Sequence, residues 1–276
     1  IKNFVDSKGK QRSRPQNTQY YFKDSITWSF ISSSYFGVRY SDVGAIFDVA
    51  GSSAFPKPEY LKLAVGYLCS CLAPSFMGAM NPTLNFQVGN VAALPFLNIK
   101  SFDSTTVDQL ISFARKDWDS YEISWDFTTV PLLQNRQLDK SLASNYATLR
   151  QQWQAATLEM QRLEEENNRL FIAAYGLQDE LTPDVPLSEI TLTCNPHYRY
   201  SGSKTEAELE ALLLADTMRE LISYAVGCMF GRYSLDKPGL ILANQGETVA
   251  DYAHKVSGNP STDPDHRSPT TNYRPP

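Results

Sequence analysis

The sequence predicts an α+β fold, in which a mixed N-terminal domain is followed by one long helix and a helical C-terminal region. Three observations predict it. Trp28 and Phe30, then Phe36 and Val38, are each spaced two apart on either side of a Ser cluster, the period of a half-buried strand. Leu142, Tyr146, Leu149, Trp153, Ala156, Met160, Leu163, Asn167, Leu170 and Ala174 then follow one another at alternating steps of four and three, the signature of a helical seam. With 276 residues, 42% hydrophobic and 12% aromatic, the chain has apolar surface for one large or two modest cores.

The N-terminal part, residues 1–100, carries the first strand candidates at 26–38 and a second at 45–50, closed by Gly51-Ser52-Ser53. Pro58 suits the first turn of a helix running through Leu61, Leu63, Val65 and Leu68, and Pro74 opens a shorter one that ends before Asn81-Pro82. Residues 81–96 return to extended or turn structure. A connector, residues 101–140, holds a short helix over 106–114 and then Trp118, Tyr121, Trp125 and Phe127, which are too apolar for a free linker and should pack against a neighbour.

Residues 141–176 are the long helix, roughly 45 Å at 1.5 Å per residue, with Gly176 as its stop. Asn167 sits on the seam, where a polar residue fixes register at a cost in stability; its replacement by Leu should stabilise the helix pair while loosening its register. A helical C-terminal region, residues 177–255, follows. Ser203 with Glu206, or Thr205 with Glu208, offers a capping box for a helix ending near Gly231, whose Leu209, Leu212, Leu213, Leu221, Ile222 and Ala225 form a broad apolar stripe. Residues 256–276 are rich in Ser, Pro, Asp and Thr and read as an extended tail.

Composition narrows the function. The net charge of −5 is unevenly divided: residues 1–117 hold 12 Lys and Arg against 8 Asp and Glu, and residues 118–276 hold 13 against 22. Any nucleic acid should therefore bind the first part. Four Cys, without paired zinc-ligand spacing, indicate reduced thiols and a cytoplasmic protein, and three scattered His predict no metal. No run reaches the ~20 apolar residues needed to cross a bilayer. The chain opens at Ile1 with no initiator Met or signal peptide, and reads as a piece of a longer protein.

Catalytic and cofactor motifs are missing from the sequence: it contains no P-loop, dinucleotide glycine fingerprint, nucleophile elbow or zinc helix. Asn195-Pro196-His197-Tyr198 resembles the Asn-Pro-Pro-Tyr motif of amino-methylating DNA enzymes, with His197 in place of the second Pro. A long helix precedes it, so it reads instead as a Pro turn whose Tyr198, Arg199 and Tyr200 dock onto the helices.

Tyr60-Leu61, Asn85-Phe86-Gln87, Gly89 and Leu94-Pro95-Phe96 resemble the closing part of target-recognition domains in restriction-modification enzymes. Together with residues 27–56, 124–127, 164–186, 192–200 and 212–248, they make the chain similar to the C-terminal half of the BREX/Pgl-type adenine-specific DNA methyltransferases. The resemblance implies S-adenosyl-L-methionine-dependent N6-adenine methylation of double-stranded DNA within a multi-subunit phage-defence system. It places the cofactor and catalytic residues outside this chain, so that residues 1–100 are its target-recognition domain and the long helix its spacer.

Under that reading, Lys8, Lys10, Arg12, Arg14 and Lys23 are candidate phosphate contacts. Ser33 and Arg39 lie in the strand expected to enter the major groove, and Arg39, Asn85 and Gln87 have purine-reading chemistry: Arg suits guanine, Asn and Gln suit adenine. An acidic, DNA-mimicking phage inhibitor would use the same basic surface. The competing reading is a protein-interaction platform, whose acidic C-terminal helices bind other defence-complex subunits.

Overall fold

A computed structural model describes residues 7, 9, 15–32, 35–134 and 141–257. The fold is α+β: a small antiparallel sheet in a mainly helical chain. It divides into two compact units, Ile1–Ala114 with Ala156–Ile190, and Arg115–Ala155 with Thr191–Pro276.

In the first unit, β1 (Ser25–Ser29) is the central strand between β2 (Val38–Ser41) and β3 (Gly51–Ala54). Register sets Trp28 opposite Val38 and Ser52, and Thr27 opposite Arg39 and Ser53. The period of two therefore buries Ile26, Trp28 and Val38 and turns the Thr27, Arg39 and Ser53 row to the other face. The third strand starts at Gly51 rather than at Ala45 as the apolar run suggested. Asp48 is the reason: its Oδ1 accepts from the Gly51 amide at 2.8 Å, closing a turn inside that run. Phe47 instead joins Tyr21 and Phe55 in an aromatic group.

Helices α1 (Pro58–Leu68) and α2 (Leu72–Met80) back the sheet, followed by α3 (Val88–Ala92) and α4 (Thr105–Trp118). Pro58 at the start of α1 matches its fixed φ and missing N–H. The core joins Ile26, Trp28, Leu63, Tyr67, Leu72 and Met77 to Phe171 and Ile172 of α6 (Leu142–Tyr175). That helix stops at Gly176, whose φ of 71° only glycine adopts freely; the Gly176 and Leu177 amides donate back to the Ala173 and Ile172 carbonyls at 3.2 and 3.0 Å.

The seam of α6 is not the strict heptad. Met160, Leu163 and Asn167 are buried as its spacing demands, but Leu170 and Ala174 face solvent and Phe171 and Ile172 take their places. A straight helix of 3.6 residues per turn drifts by ~20° per heptad, so over this length the buried stripe rotates by one residue. In the first unit the partner elements of α6 are the short helices α1 and α4.

Where α6 meets α1, a Cβ on Gly66 would lie 2.9 Å from Val107 Cγ2 and 3.0 Å from Asn167 Oδ1, so only glycine permits the approach. Asn167, 4% exposed, donates through Nδ2 to the Gly66 carbonyl at 2.9 Å. That carbonyl lies in the last turn of α1, where chain-end geometry deprives it of a helical partner. The adjacent Asn168 accepts from the Cys71 amide, at the N-cap of α2, at 2.9 Å and donates to the Pro183 carbonyl at 3.0 Å. Two neighbouring amides thus pin both sides of the α1–α2 corner.

In the second unit, α5 (Pro131–Gln134), α7 (Pro196–Arg199), α8 (Glu206–Met229) and α9 (Val249–Val256) accompany the N-terminal part of α6. Of the two capping boxes open to the sequence, Thr205 with Glu208 forms. Gly231, at φ 74°, ends α8. Phe127 packs on Tyr224 and Tyr233 as expected of an aromatic connector, whereas Trp125 is fully exposed. Arg150 of α6 grips Glu210 of α8 through two nitrogens at 2.6–3.0 Å.

Candidate nucleic-acid interface

The candidate surface follows β1 from end to end. At its entry, Lys23 is exposed with Nζ 5.7 Å from the Tyr20 ring centroid. The preceding Phe22 adopts a left-handed φ of 62°, and its amide donates to Ala45 at 3.0 Å, turning the chain into the strand. Midway, Arg39 is exposed on the polar face between Thr27 and the sheet edge, its Nη1 donating to its neighbour's carbonyl, Val38 O, at 2.8 Å.

At the exit, β1 continues into an isolated bridge between Ile31 and Asn85, flanked by Phe86 N to Phe30 O at 2.7 Å and Ser32 N to Leu84 O at 3.1 Å. Trp28 Nε1 adds a bond to the Phe86 carbonyl at 2.9 Å. These contacts bring residues 84–87 against the strand from about 55 positions away. Asn85 is half-buried there, and Gln87, fully outside, is the N-cap residue of α3 with its side chain unused in capping. Ile31, Leu84 and Val88 are exposed beside them.

Lys23, Arg39, Asn85 and Gln87 thus mark a line along β1, with roughly 25 Å of extended chain between Lys23 and Ile31. They are not one cluster. Lys8, Lys10, Arg12, Arg14 and Ser33 lie outside the described residues. Missed by sequence reasoning were Ile31, Leu84 and Val88, since single exposed aliphatics carry no signal in the pattern, and Glu164. Burial pushes the Glu164 carboxyl up to about 7, with Arg39 opposing and Glu189 adding to the rise. Arg39 therefore balances an acidic side chain as well as facing outward.

The Asn195 motif is otherwise employed. Asn195 is fully buried, and its Oδ1 accepts from the His197 amide at 3.1 Å as the N-cap of α7. Arg199 bonds Glu220 at 2.9 Å and lies 3.3 Å from Asp216, while the Tyr200 hydroxyl donates to Asp216 at 2.8 Å. Asp117 accepts from the Thr193 and Cys194 amides at 2.7 and 3.1 Å. These bonds dock the turn onto α8 and α4. Tyr121 is half-buried beside them, and its hydroxyl is held far above the usual range by desolvation first and then by Asp117 and Glu220.

A cavity lined by residues including Thr129, Leu133, Tyr224, Ser234 and Asp236 encloses about 160 Å³. Ligand pockets usually span ~300–1,000 Å³. It does not fit a molecule the size of S-adenosylmethionine. Among the described residues, no group of three or more His, Cys, Asp or Glu is arranged to hold a metal ion, and no single helix is long and apolar enough to cross a membrane.

No family model matches the chain. Two curated proteins do. The adenine-specific methyltransferase PglX of Lacticaseibacillus casei (strain Zhang) is 37% identical over 250 residues, covering 88% of this chain and 19% of that protein. The adenine-specific methyltransferase BrxX of Escherichia coli O9:H4 (strain HS) is 30% identical over 256 residues, 90% of this chain and 21% of its own length. The chain spans about a fifth of the length of these relatives and matches one part of a PglX-type methyltransferase.

Proposed function

We propose that the chain is the DNA target-recognition part of an S-adenosylmethionine-dependent adenine-N6 DNA methyltransferase in a BREX-type phage-defence system. The observation that carries this reading is the β1 surface: a polar sheet row with Arg39, flanked by Lys23 and by the Asn85–Gln87 segment, in the part of the chain where basic residues outnumber acidic ones. Arg39, Asn85 and Gln87 offer the donors and acceptors that read purine edges, and Lys23 with the basic N-terminal residues supplies phosphate contacts. S-adenosylmethionine and the methyl-transfer residues are assigned to the remainder of the polypeptide, as the resemblance to that family implies.

Salt titration of short-duplex binding by the whole chain tests the proposal. Affinity should fall with a log–log slope of about −0.9 per neutralised phosphate, and joint replacement of Lys8, Lys10, Arg12 and Arg14 by Ala should flatten it by up to ~4. Arg39→Ala should lower discrimination between duplex sequences by about 1–3 kcal/mol. Binding that is indifferent to salt and to all five substitutions overturns the reading. The acidic excess of residues 118–276 favours a second one, a platform for other defence-complex subunits, which the same titration would leave standing if duplex affinity is absent. An acidic DNA-mimicking inhibitor would compete with the duplex.

A further inference from the structure

Helix α8 carries apolar side chains on two opposite sides. Leu209, Leu213 and Tyr224 on one side are buried, as an amphipathic helix requires. The opposite side carries Leu214, Met218, Ile222, Val226, Met229 and Phe230, within about ±80° of Ile222 at 100° per residue, with alanines between them. Ile222 is 63% exposed, Met229 83% and Phe230 80%. Between Leu214 and Phe230 one charge interrupts this side, Arg219, and it is ion-paired to Asp216; Glu208 lies on the same side in the first turn. Trp125, in the same unit, is also entirely exposed. An amphipathic helix needs one apolar side to join the core, and a second contiguous apolar side left on the surface marks an interface.

We infer that the outer face of α8 is the seat on which the remainder of the methyltransferase polypeptide docks. The inference rests on reading the chain as one part of a longer protein, not on DNA recognition. About four-fifths of each relative lies outside the matched region, so most of such a polypeptide is available to cover the face. Permanent contacts are more apolar than those between partners that separate, which suits a stripe with a single, already neutralised charge. A second copy is disfavoured by charge, since residues 118–276 hold 22 acidic against 13 basic residues and two copies would bring like charge together. Residues 258–276 lack the aliphatic side chains needed to cover the stripe.

Native methionine oxidation tests this without mutation and without DNA. Met229 sulfoxide formation under dilute peroxide is followed by mass spectrometry in the 276-residue chain and in the complete methyltransferase polypeptide that contains it, with light scattering on both. Met229 should oxidise freely in the monomeric chain and about ten-fold more slowly in the complete polypeptide. Val226→Glu should lower the melting midpoint of the complete polypeptide by several degrees and leave that of the chain unchanged. Equal oxidation in both proteins overturns the proposal. So does protection already present in the chain, whether as a dimer, meaning a second copy covers the face, or as a monomer, meaning the chain covers it itself. Failure of duplex binding would leave the Met229 result untouched.

Discussion

Replacing Asn167 by Leu should destabilise the protein, the reverse of what a polar residue on an apolar seam suggests. The seam argument treats Asn167 as a buried amide facing apolar neighbours. In the structure its Nδ2 instead holds the Gly66 carbonyl at 2.9 Å, a group at the end of α1 with no helical donor left to it. Leu would leave that carbonyl buried and unpaired, at a cost of about 1–3 kcal/mol. Added apolar burial returns at most about 1 kcal/mol. The space for it is limited by the close approach at Gly66, where a Cβ would already lie 3.0 Å from Asn167 Oδ1. The net loss is about 1–2 kcal/mol, a melting midpoint lower by about 2–8 °C. Calorimetry of the two proteins in one buffer reads it directly. A midpoint equal to or above that of the parent would mean that the amide contributes register alone, and the carbonyl argument would be refuted.

The raised Glu164 carboxyl predicts a pH effect. Between its ordinary 4.5 and about 7, the folded chain keeps a proton that the unfolded chain releases, so stability falls as pH rises through that window and the cost persists above it. Glu164→Gln should therefore match the parent near pH 4.5 and be the more stable near pH 8, by at most about 3 kcal/mol and less given its partial exposure; a gain that is constant across urea melts at both pH values would discredit the burial argument. Asn195→Ala should remove the α7 cap and cost about 0.5–2 kcal/mol. In the complete polypeptide it should leave methylation per folded molecule substantial, and loss of methylation from a protein that still melts normally would show that the amide contacts the target base.

Much of the helical architecture was legible locally. The α6 seam, its Gly176 stop and the Thr205 capping box are written within a few residues of where they act. The β3 boundary was not, because a single hydrogen bond from the Gly51 amide to Asp48 outweighs the apolar run around it. The final turns of α6 were misjudged because a heptad and a 3.6-residue helix coincide over short lengths and diverge over long ones. Asn167 to Gly66 spans 101 positions and Asn168 to Cys71 spans 97, distances at which no pattern in one sequence announces a contact. For the candidate interface, side-chain chemistry nominated Arg39, Asn85 and Gln87, but their arrangement along β1 comes from the Ile31–Asn85 bridge, which only the folded chain reveals.

The paired amides of Asn167 and Asn168 bear on any test of the proposed DNA recognition by exchange of segments. The corner between α1 and α2, which backs the sheet, is fastened by side chains from a helix nearly a hundred residues downstream. A graft cut after residue 100 would carry the proposed reading surface and leave its fasteners behind, with Gly66 set for an asparagine that the host need not possess. A transplant that respects the physics takes two pieces, residues 1–114 and 156–190, as one inheritance. Chimeras built on the shorter cut would then fail by melting rather than by misreading, and their lost activity would say nothing about which bases they prefer.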